Sequence, residues 1–510
     1  MNFREKKIYS IFEITLIFIL FLLIVFFISN TYGLDRHWAA FPDHEVTYAY
    51  NALLFNSAIE HEQTDHSGYF SILFLSIFYK ILNLLGYLST FKFSLLNNNN
   101  YEIDFQNIIF FTRVYSSITI AILYTLLFYF INYFSKNKLY SLLLSLILFS
   151  TLSNFVHISK LRTEIITLIF FILSFFNLIL FFKKENTFRF YNIIFFFLFL
   201  FCSILNKSQV FFYLPYMLLL TYFYVEHMKD FNLNNFKFVE NKNLKFFLVF
   251  ICIGYLLIKF LSEYSPTILS PIFIVLNILM LNIFFYISLR KFSLDIEKNL
   301  VTINLLWMII FLLFKSFLFI HPSTNELAFA NTFTNVIGAV FSLAGNNQSN
   351  LILTFINLFT KNINDNILAL TYHSFLLLTF IFLSLIFLKK LKKKEIIFNL
   401  CCILSFVIIS TINEVKDNLY YEIFADLFLI LGFCNFGLHF KNFKIILFLP
   451  ILIIHLYINY NPNINYISDV KISGKNYSGM KWLCDPNQNY LYVYHKRLNF
   501  NHFRDICKKY

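Results

Sequence analysis

Acidic and basic side chains are concentrated directly behind the first long apolar run of this 510-residue chain. The stretch DRHWAAFPDHE at 35–45 holds three acids, one arginine and two histidines, and His66 follows in the segment TDHSGY. A carboxylate can take a proton from an attacking group, and an arginine can bind an anion through paired hydrogen bonds. Asp43 and Glu45 are therefore candidates for a catalytic base, and Arg36 and His66 are candidates for substrate contacts.

Charged groups recur in order at the ends of later apolar runs. They comprise Arg113 in FFTRVY, Arg162 and Glu164 in the RTE segment, Lys207 in ILNKSQ, and Lys416 in INEVKDN. Charged side chains at the edge of a membrane are costly unless they are used. Taken alone, the acids after Pro42 also fit the start of a solvated loop helix, where the helix dipole favours negative charge. Their order along the chain favours convergence on one cavity.

The composition indicates a membrane protein. Hydrophobic residues make up 58% of the chain and charged residues only 14%, whereas a soluble protein has roughly a quarter of its residues charged. Long apolar runs recur from one end to the other, which predicts an all-α protein that crosses a membrane many times. The net charge of +13 comes mostly from short Lys and Arg clusters between those runs. Such clusters orient helices in a membrane, so no nucleic-acid partner is predicted.

The apolar runs predict about thirteen transmembrane helices. They are expected at 8–29, 114–134, 139–157, 163–182, 188–206, 209–226, 245–262, 267–289, 300–320, 366–388, 396–412, 419–438 and 444–460. A further apolar run at 69–88 is expected to lie flat on the membrane as an interfacial helix. If it does not cross, the positive-inside rule is obeyed by the basic clusters at 136–138, 183–184, 290–291, 389–394 and 441–444.

This topology puts the N-terminus in the cytoplasm and the C-terminus outside. It divides the chain into a membrane domain at 1–460, with outer loops at 30–113 and 321–365, and a small outer tail at 461–510. Of the seven cysteines, only Cys484 and Cys507 fall in the tail, which this topology places outside the cytoplasm, where disulfides persist. We therefore expect a disulfide between them.

The ordered series of charged segments resembles the GT-C class of integral-membrane glycosyltransferases. It is most similar to lipid A aminoarabinose transferase, protein O-mannosyltransferases and bacterial lipopolysaccharide-core sugar transferases. The family pattern has an acid after the first helix, a polar segment before an interfacial helix, an arginine in the second span, an arginine and an acid before the fourth span, and a later lysine turn. Here these positions hold Asp43, DHSGY at 65–69, Arg113, RTE at 162–164 and NKS at 206–208. The ordered similarity covers residues 1 to about 225 and is only topological beyond.

The resemblance implies a hexosyl or pentosyl transferase in the bacterial inner membrane, with its C-terminus in the periplasm. Such enzymes move a sugar from a polyprenyl-phosphate donor to a lipid, glycan or protein acceptor on the outer face, by a single inverting displacement. Asp43 would be the base, with Glu45 and Glu164 as further catalytic candidates. Substrate contacts would come from Arg36, His66, Arg113, Arg162, Lys207 and Lys416, and membrane lipids would surround the helices.

Two choices stay open within this reading. His44 separates Asp43 from Glu45, so either acid could be the base; Asp43 is favoured because it directly follows Pro42, as in the family pattern. No cofactor is assigned. The histidines among the acids of the first loop leave a divalent cation open, but their spacings match no standard metal site, and no metal ligand is predicted.

Two other functions also suit a polytopic chain. A cell-envelope oligosaccharide polymerase or ligase usually has a late outer loop rich in arginine, but 321–365 contains one Lys and no Arg. A secondary transporter usually has broken helices marked by Gly or Pro in matching halves, but the chain has only 10 Gly and 8 Pro and no internal repeat. Glycosyl transfer is therefore the favoured expectation.

Overall fold

A computed structural model describes residues 3–40, 45–59, 68–96, 101–158, 160–182, 189–207, 209–227, 279–289, 299–306, 351–364, 375–389, 391–414, 422–437 and 448–475, and the single positions 309, 481, 484 and 507. All regular secondary structure in these residues is helical, and they contain no strand. The expectation of an all-α fold is confirmed for this part of the chain.

The helices that matter for the site are numbered in chain order. They are α1 Phe3–Tyr32, α2 Thr47–Asn56, α3 Tyr69–Leu84, α4 Tyr101–Ser135, α5 Lys138–Ser150, α6 Leu152–Phe155, α7 Thr163–Phe182, α8 Arg189–Asn206 and α9 Val210–His227. They continue with α10 Leu351–Asn362, α11 Phe375–Phe387, α12 Lys393–Glu414, α13 Glu422–Gly437 and α14 Phe448–Lys475.

Several described helices suit a lipid bilayer. Four helical segments are long and apolar enough to cross a membrane, namely Ile11–Thr31, Glu102–Ser135, Thr163–Phe182 and Lys393–Asn413. Shorter apolar helices of 10–17 residues accompany them, among them Tyr69–Leu84, Lys138–Ser150 and Phe375–Phe387. An apolar helix satisfies its own backbone hydrogen bonds, which is the requirement for a segment in lipid. The chain is therefore an α-helical membrane protein, and the expected count of about thirteen spans includes segments outside the described residues.

The chain forms two compact units, each with its own packing. The first contains Met1–Ile169, Phe319–Asn325 and Phe436–Tyr510, and the second contains Phe170–Leu318 and Glu326–Asn435. In the second unit the Tyr213 hydroxyl of α9 donates to Asn413 of α12 at 3.0 Å. At Gly432 of α13 a Cβ atom would lie 2.3 Å from the Phe380 ring of α11, so glycine permits the close approach of these helices.

Helices α1 and α4 of the first unit pack side by side in opposite directions. Two contacts join them along their length: Ser29–Ser117 with Oγ atoms 2.8 Å apart, and Phe21–Tyr124 with ring centroids 5.6 Å apart. Beyond the end of α4, a 2.7 Å ion pair joins Glu13 of α1 to Lys138, the first residue of α5. The segment 33–100 therefore begins and ends at the same end of the α1–α4 pair.

Helices α2 and α3 lie within that segment. Every residue of α2 is buried, and the Asn56 amide at its end donates to the carbonyls of Ser76 and Phe91, at 3.1 and 3.0 Å. The Tyr79 hydroxyl of α3 hydrogen-bonds to Thr112 of α4. The exposed side of α3 is mostly apolar, with helical spacing of Phe74, Ile77, Ile81 and Leu84, and it also carries Lys80.

The C-terminal helix α14 runs unbroken through the domain boundary expected at residue 460. Polar side chains hold its later turns against α5 and the turn after α6. Asn463 donates to the Ser150 carbonyl at 3.1 Å, and the Tyr466 hydroxyl donates to the Val156 carbonyl at 3.2 Å. Asn463 and Tyr466 are polar, so the apolar run in the sequence ends before them. The helix continues past that point because both side chains find hydrogen-bond acceptors in the folded chain.

The expected tail disulfide is confirmed. Cys484 and Cys507 are bonded, with their Cα atoms 5.5 Å apart. The other described cysteines, Cys202, Cys401, Cys402 and Cys434, are free thiols.

The antiparallel packing of α1 and α4 predicts a specific cross-link. The pair Ser29→Cys and Ser117→Cys should form a disulfide on mild oxidation, because the two Oγ atoms are 2.8 Å apart. The control pair Ser29→Cys and Thr125→Cys should stay reduced, since Thr125 lies about 12 Å farther along α4. Mass spectrometry of oxidised membranes measures both pairs, and equal cross-linking of the two would contradict this register.

Candidate functional site

The loop after α1 folds back against the start of α4. Gly33 opens it with a positive φ of 83°, a backbone conformation that favours glycine. Trp38 is buried and meets the ring of Phe105 edge-on, with centroids 5.4 Å apart. Gln106 donates to two loop carbonyls, at 3.1 and 3.0 Å. Aromatic packing and backbone hydrogen bonds thus fix the loop on α4.

Arg113 of α4 organises the same loop. Its side chain is 1% exposed. Nη1 donates to the carbonyls of Leu34 and Arg36 at 2.9 and 2.6 Å, and Nη2 donates to the His37 carbonyl at 3.1 Å. Nη2 and Nε also donate to Glu45 Oε2, at 2.8 and 3.0 Å. A guanidinium has five N–H donors, so Arg113 directs all of them to the first loop and Glu45.

Glu45 is the counter-charge of two arginines. Its side chain is 0% exposed, and its Oε1 lies 2.6 Å from Arg36 Nη2 while Oε2 accepts from Arg113. A buried carboxylate is tolerated in its charged form only when paired and hydrogen-bonded. Both oxygens of Glu45 are engaged in this way, and the residue joins the first loop to α4.

Arg162 and Glu164 form a second buried ion pair at the start of α7. Arg162 Nε and Nη2 lie 3.2 and 3.1 Å from the two carboxylate oxygens, which is a bidentate arrangement. Glu164 is in the first turn of α7, where the helix dipole favours an acid. A Cβ atom on Gly68 would lie 2.3 Å from Thr163 Cγ2, so the residue before α3 closely approaches the RTE segment.

Three hydroxyl groups from three helices hold the loop that precedes Arg162. Each donates to the carbonyl of an alternate loop residue: Tyr466 of α14 to Val156 at 3.2 Å, Ser29 of α1 to Ile158 at 3.3 Å, and Ser116 of α4 to Lys160 at 3.1 Å. The backbone of this loop is therefore fixed from several sides.

Lys160 is a buried lysine in this loop. It is 5% exposed, and its ammonium lies 5.1 Å from the centre of the Tyr466 ring. Burial lowers the pKa of Lys160 to about 7; Arg162 lowers it as well, Glu45 opposes the change, and Arg36 adds to it. At neutral pH the amine is close to the balance point between its charged and neutral forms, and a bound anion would favour the charged form.

We call the six residues Arg36, Glu45, Arg113, Lys160, Arg162 and Glu164 the charge cluster. The charges of Arg36 and Glu45 both act on Lys160, which is two residues before Arg162 in the chain. The Arg36–Glu45–Arg113 ion pairs and the Arg162–Glu164 ion pair are therefore neighbours. The cluster contains four cationic side chains and two carboxylates, all of them buried, while nearby Asp35 is exposed. Among these six side chains the cations outnumber the carboxylates, and an anionic group would neutralise the excess.

His37 lies beside the cluster, and its Nδ1 accepts a hydrogen bond from the Ala39 amide at 3.2 Å. Burial lowers the pKa of His37, Glu102 opposes this effect and Arg113 adds to it. Neutral imidazole is therefore favoured near pH 7. Within the described part of the chain, no group of three or more His, Cys, Asp or Glu side chains is placed to hold a metal ion.

Five expected site residues come together in the charge cluster: Arg36, Glu45, Arg113, Arg162 and Glu164. Asp43, His66 and Lys416 lie outside the described residues. Lys207 belongs to the second unit, where it follows α8 and its amide donates to the Ser203 carbonyl at 2.9 Å. No sequence pattern marks Gln106 or Tyr466, because each contributes through a contact that only the folded chain creates.

Comparison of the chain with models of known protein families, with curated proteins and with solved structures gives no match in any of the three. Function must therefore be inferred from the charge cluster itself.

The Glu45 pairing predicts a large loss of stability for Glu45→Gln. The substitution keeps the shape but leaves two buried guanidiniums without their counter-charge, a change that typically costs roughly 3–5 kcal/mol. Thermal unfolding of the purified protein in detergent measures the effect.

The matched control is Glu13→Gln. Glu13 also pairs with a cation, but the side chains of this pair are 66% and 30% exposed, and such pairs contribute about 0–1 kcal/mol. Equal unfolding temperatures for the two variants would show that the Glu45 pairing does not stabilise the unit.

Proposed function

We propose that the chain is a glycosyltransferase of the bacterial inner membrane. It transfers a hexosyl or pentosyl group from a polyprenyl-phosphate donor to a lipid, glycan or protein acceptor on the outer face. The observation that supports this proposal is the buried excess of positive charge in the charge cluster. A lipid-linked donor presents an anionic phosphate on an apolar chain, so its site needs fixed cations at the ends of apolar helices. The charge cluster offers that combination, with Arg113 about three turns inside α4 and Glu164 in the first turn of α7.

The proposed roles follow from the position of each side chain and from the contacts described above. Arg113 and Glu45 position the first loop, since their donors and acceptors are directed to each other, to Arg36 and to loop carbonyls. Lys160 and Arg162, on a loop held by three helices, bind the donor phosphate. Glu164 orients Arg162. The remaining substrate contacts in the proposal are His66, Lys207 and Lys416.

Asp43 is the proposed base. Glu45 suits that role poorly, because it is 0% exposed and both of its oxygens accept hydrogen bonds from arginines. Asp43 lies two residues before Glu45 in the chain. In the reaction the acceptor oxygen or nitrogen attacks the anomeric carbon and its proton passes to Asp43. The bond from that carbon to the phosphate oxygen breaks, and the lipid phosphate leaves with the electron pair.

The proposed topology has about thirteen spans, with the N-terminus in the cytoplasm and the charge cluster at the outer boundary. The contacts between α1 and α4 support this arrangement, because 33–100 begins and ends at one end of the pair. From Arg113 to the end of α4 the helix is about 33 Å long, close to the roughly 30 Å of the hydrocarbon core. The exposed apolar face of α3 would then rest on the membrane.

The catalytic proposal predicts that Asp43→Asn abolishes transfer while leaving the protein folded. The amide keeps the shape of the carboxylate but cannot take the proton, so the rate should fall about 10²-fold or more. The assay uses membranes that carry each variant, radiolabelled polyprenyl-phosphate sugars, and rates normalised to folded protein.

The comparison variant is Glu45→Gln, which should retain much more activity per folded molecule, because it removes a positioning group. Full activity in Asp43→Asn with loss in Glu45→Gln would assign the base to Glu45. Full activity in both variants would refute the assignment of the first loop to the active site.

The proposed topology predicts the labelling of single cysteines in intact cells. Ser94→Cys and Ser468→Cys, both at exposed positions, should react with a membrane-impermeant maleimide, whereas Lys393→Cys in the basic 389–394 run should be protected. The unmodified chain gives the background from its native thiols. Protection of both serine positions would mean that α3 crosses the membrane.

A further inference from the structure

The last helix reaches the charge cluster through one side chain. Tyr466 of α14 places its ring centre 5.1 Å from the Lys160 ammonium and donates from its hydroxyl to the Val156 carbonyl at 3.2 Å. Tyr466 and Val156 are 310 residues apart in sequence. One side chain thus contacts both the backbone of the 156–160 loop and the charged end of its lysine.

We propose that Tyr466 is a positioning residue for the anion-binding site: its ring holds the Lys160 ammonium in its place within the charge cluster, and its hydroxyl fixes the loop that carries the lysine. The inference rests on the proposed function, from which it takes the donor phosphate as the anion. The C-terminal helix α14 then contributes to anion binding through Tyr466.

Lys160 benefits from such a partner because its surroundings disfavour a charge. Burial, Arg162 in its own loop and Arg36 in the first loop all oppose the ammonium form, and Glu45 is the carboxylate that favours it. From α1 and α4, the hydroxyls of Ser29 and Ser116 bond to carbonyls of the loop that carries Lys160.

An aromatic ring stabilises a buried ammonium in a different way from a carboxylate. The ring face attracts a cation through its quadrupole, yet it carries no net charge. A carboxylate at this position would stabilise the ammonium and at the same time repel an incoming phosphate. Tyr466 therefore favours the charged form of Lys160 without reducing the positive charge that the phosphate meets.

The inference predicts how the pH dependence of anion binding changes with the ring. The probe is undecaprenyl methyl phosphate, a diester whose own charge stays constant from about pH 5 to about 10, unlike a monoester, whose second pKa is about 6. Its affinity for the purified full-length protein is measured across this range by the ligand-dependent rise in unfolding temperature. In the natural sequence we expect affinity to fall about tenfold or more as Lys160 loses its proton.

Tyr466→Leu removes the ring, and the midpoint of this fall should move down by about half to one pH unit. Tyr466→Phe keeps the ring and should restore the midpoint of the natural sequence. Tyr457→Leu is the matched control, because Tyr457 lies on the same helix but is 80% exposed. If Tyr466→Leu fails to fold, pentafluorophenylalanine at position 466 preserves the ring shape and reverses its quadrupole, and it should give the same downward shift.

A midpoint that stays unchanged on loss of the ring, or that moves equally in the Leu and Phe variants, would overturn the inference. The outcome is independent of sugar transfer. A shifted midpoint in a chain that transfers no sugar from any donor would support the role of Tyr466 and contradict the proposed function. An unshifted midpoint in an active transferase would do the reverse.

Discussion

The packing of the first unit depends on the ion pairs that the buried Glu45 carboxylate makes with two arginines. The carboxylate lies between the guanidiniums of Arg36 and Arg113, at 2.6 and 2.8 Å, with essentially no exposure to solvent. Removing one charge from such a set leaves the others uncompensated in a medium that stabilises charge poorly. Because Arg113 also binds three loop carbonyls, the same carboxylate determines how the chain turns after α1 and where the first loop meets α4.

The positive charge that remains gives the cluster its chemical character. Arg162 is oriented by Glu164 at the start of α7, and Lys160 sits on a loop whose carbonyls are held by hydroxyls from α1, α4 and α14. The protein therefore keeps two cationic side chains in a buried, fixed place that is costly to maintain unless an anion uses it. The pKa of Lys160 is lowered to about 7, chiefly by burial, and this shift reflects the cost of keeping an ammonium group in this place.

Much of this could be predicted from the sequence, because apolar run length and the types of the charged residues are local properties. The all-α membrane class, the cysteine pair of the tail and the grouping of Arg36, Glu45, Arg113, Arg162 and Glu164 all follow from such patterns. The role of Arg113 does not, since a sequence cannot show that carbonyls from a loop will occupy its donors. Nor does the length of α14, because Asn463 and Tyr466 count as polar in sequence and reach their acceptors, the carbonyls of Ser150 and Val156, only in the folded chain.

An experimental density map of the protein with a bound polyprenyl phosphate tests the central claim most directly. The claim is that the cations of the charge cluster receive the phosphate of a lipid-linked donor. We expect phosphate density within hydrogen-bonding distance, about 3 Å, of Lys160 and Arg162, with the lipid chain running along the apolar helices and Glu45 still held between its two arginines. Phosphate density at a different site, with the six residues of the cluster unchanged and no anion among them, would contradict it.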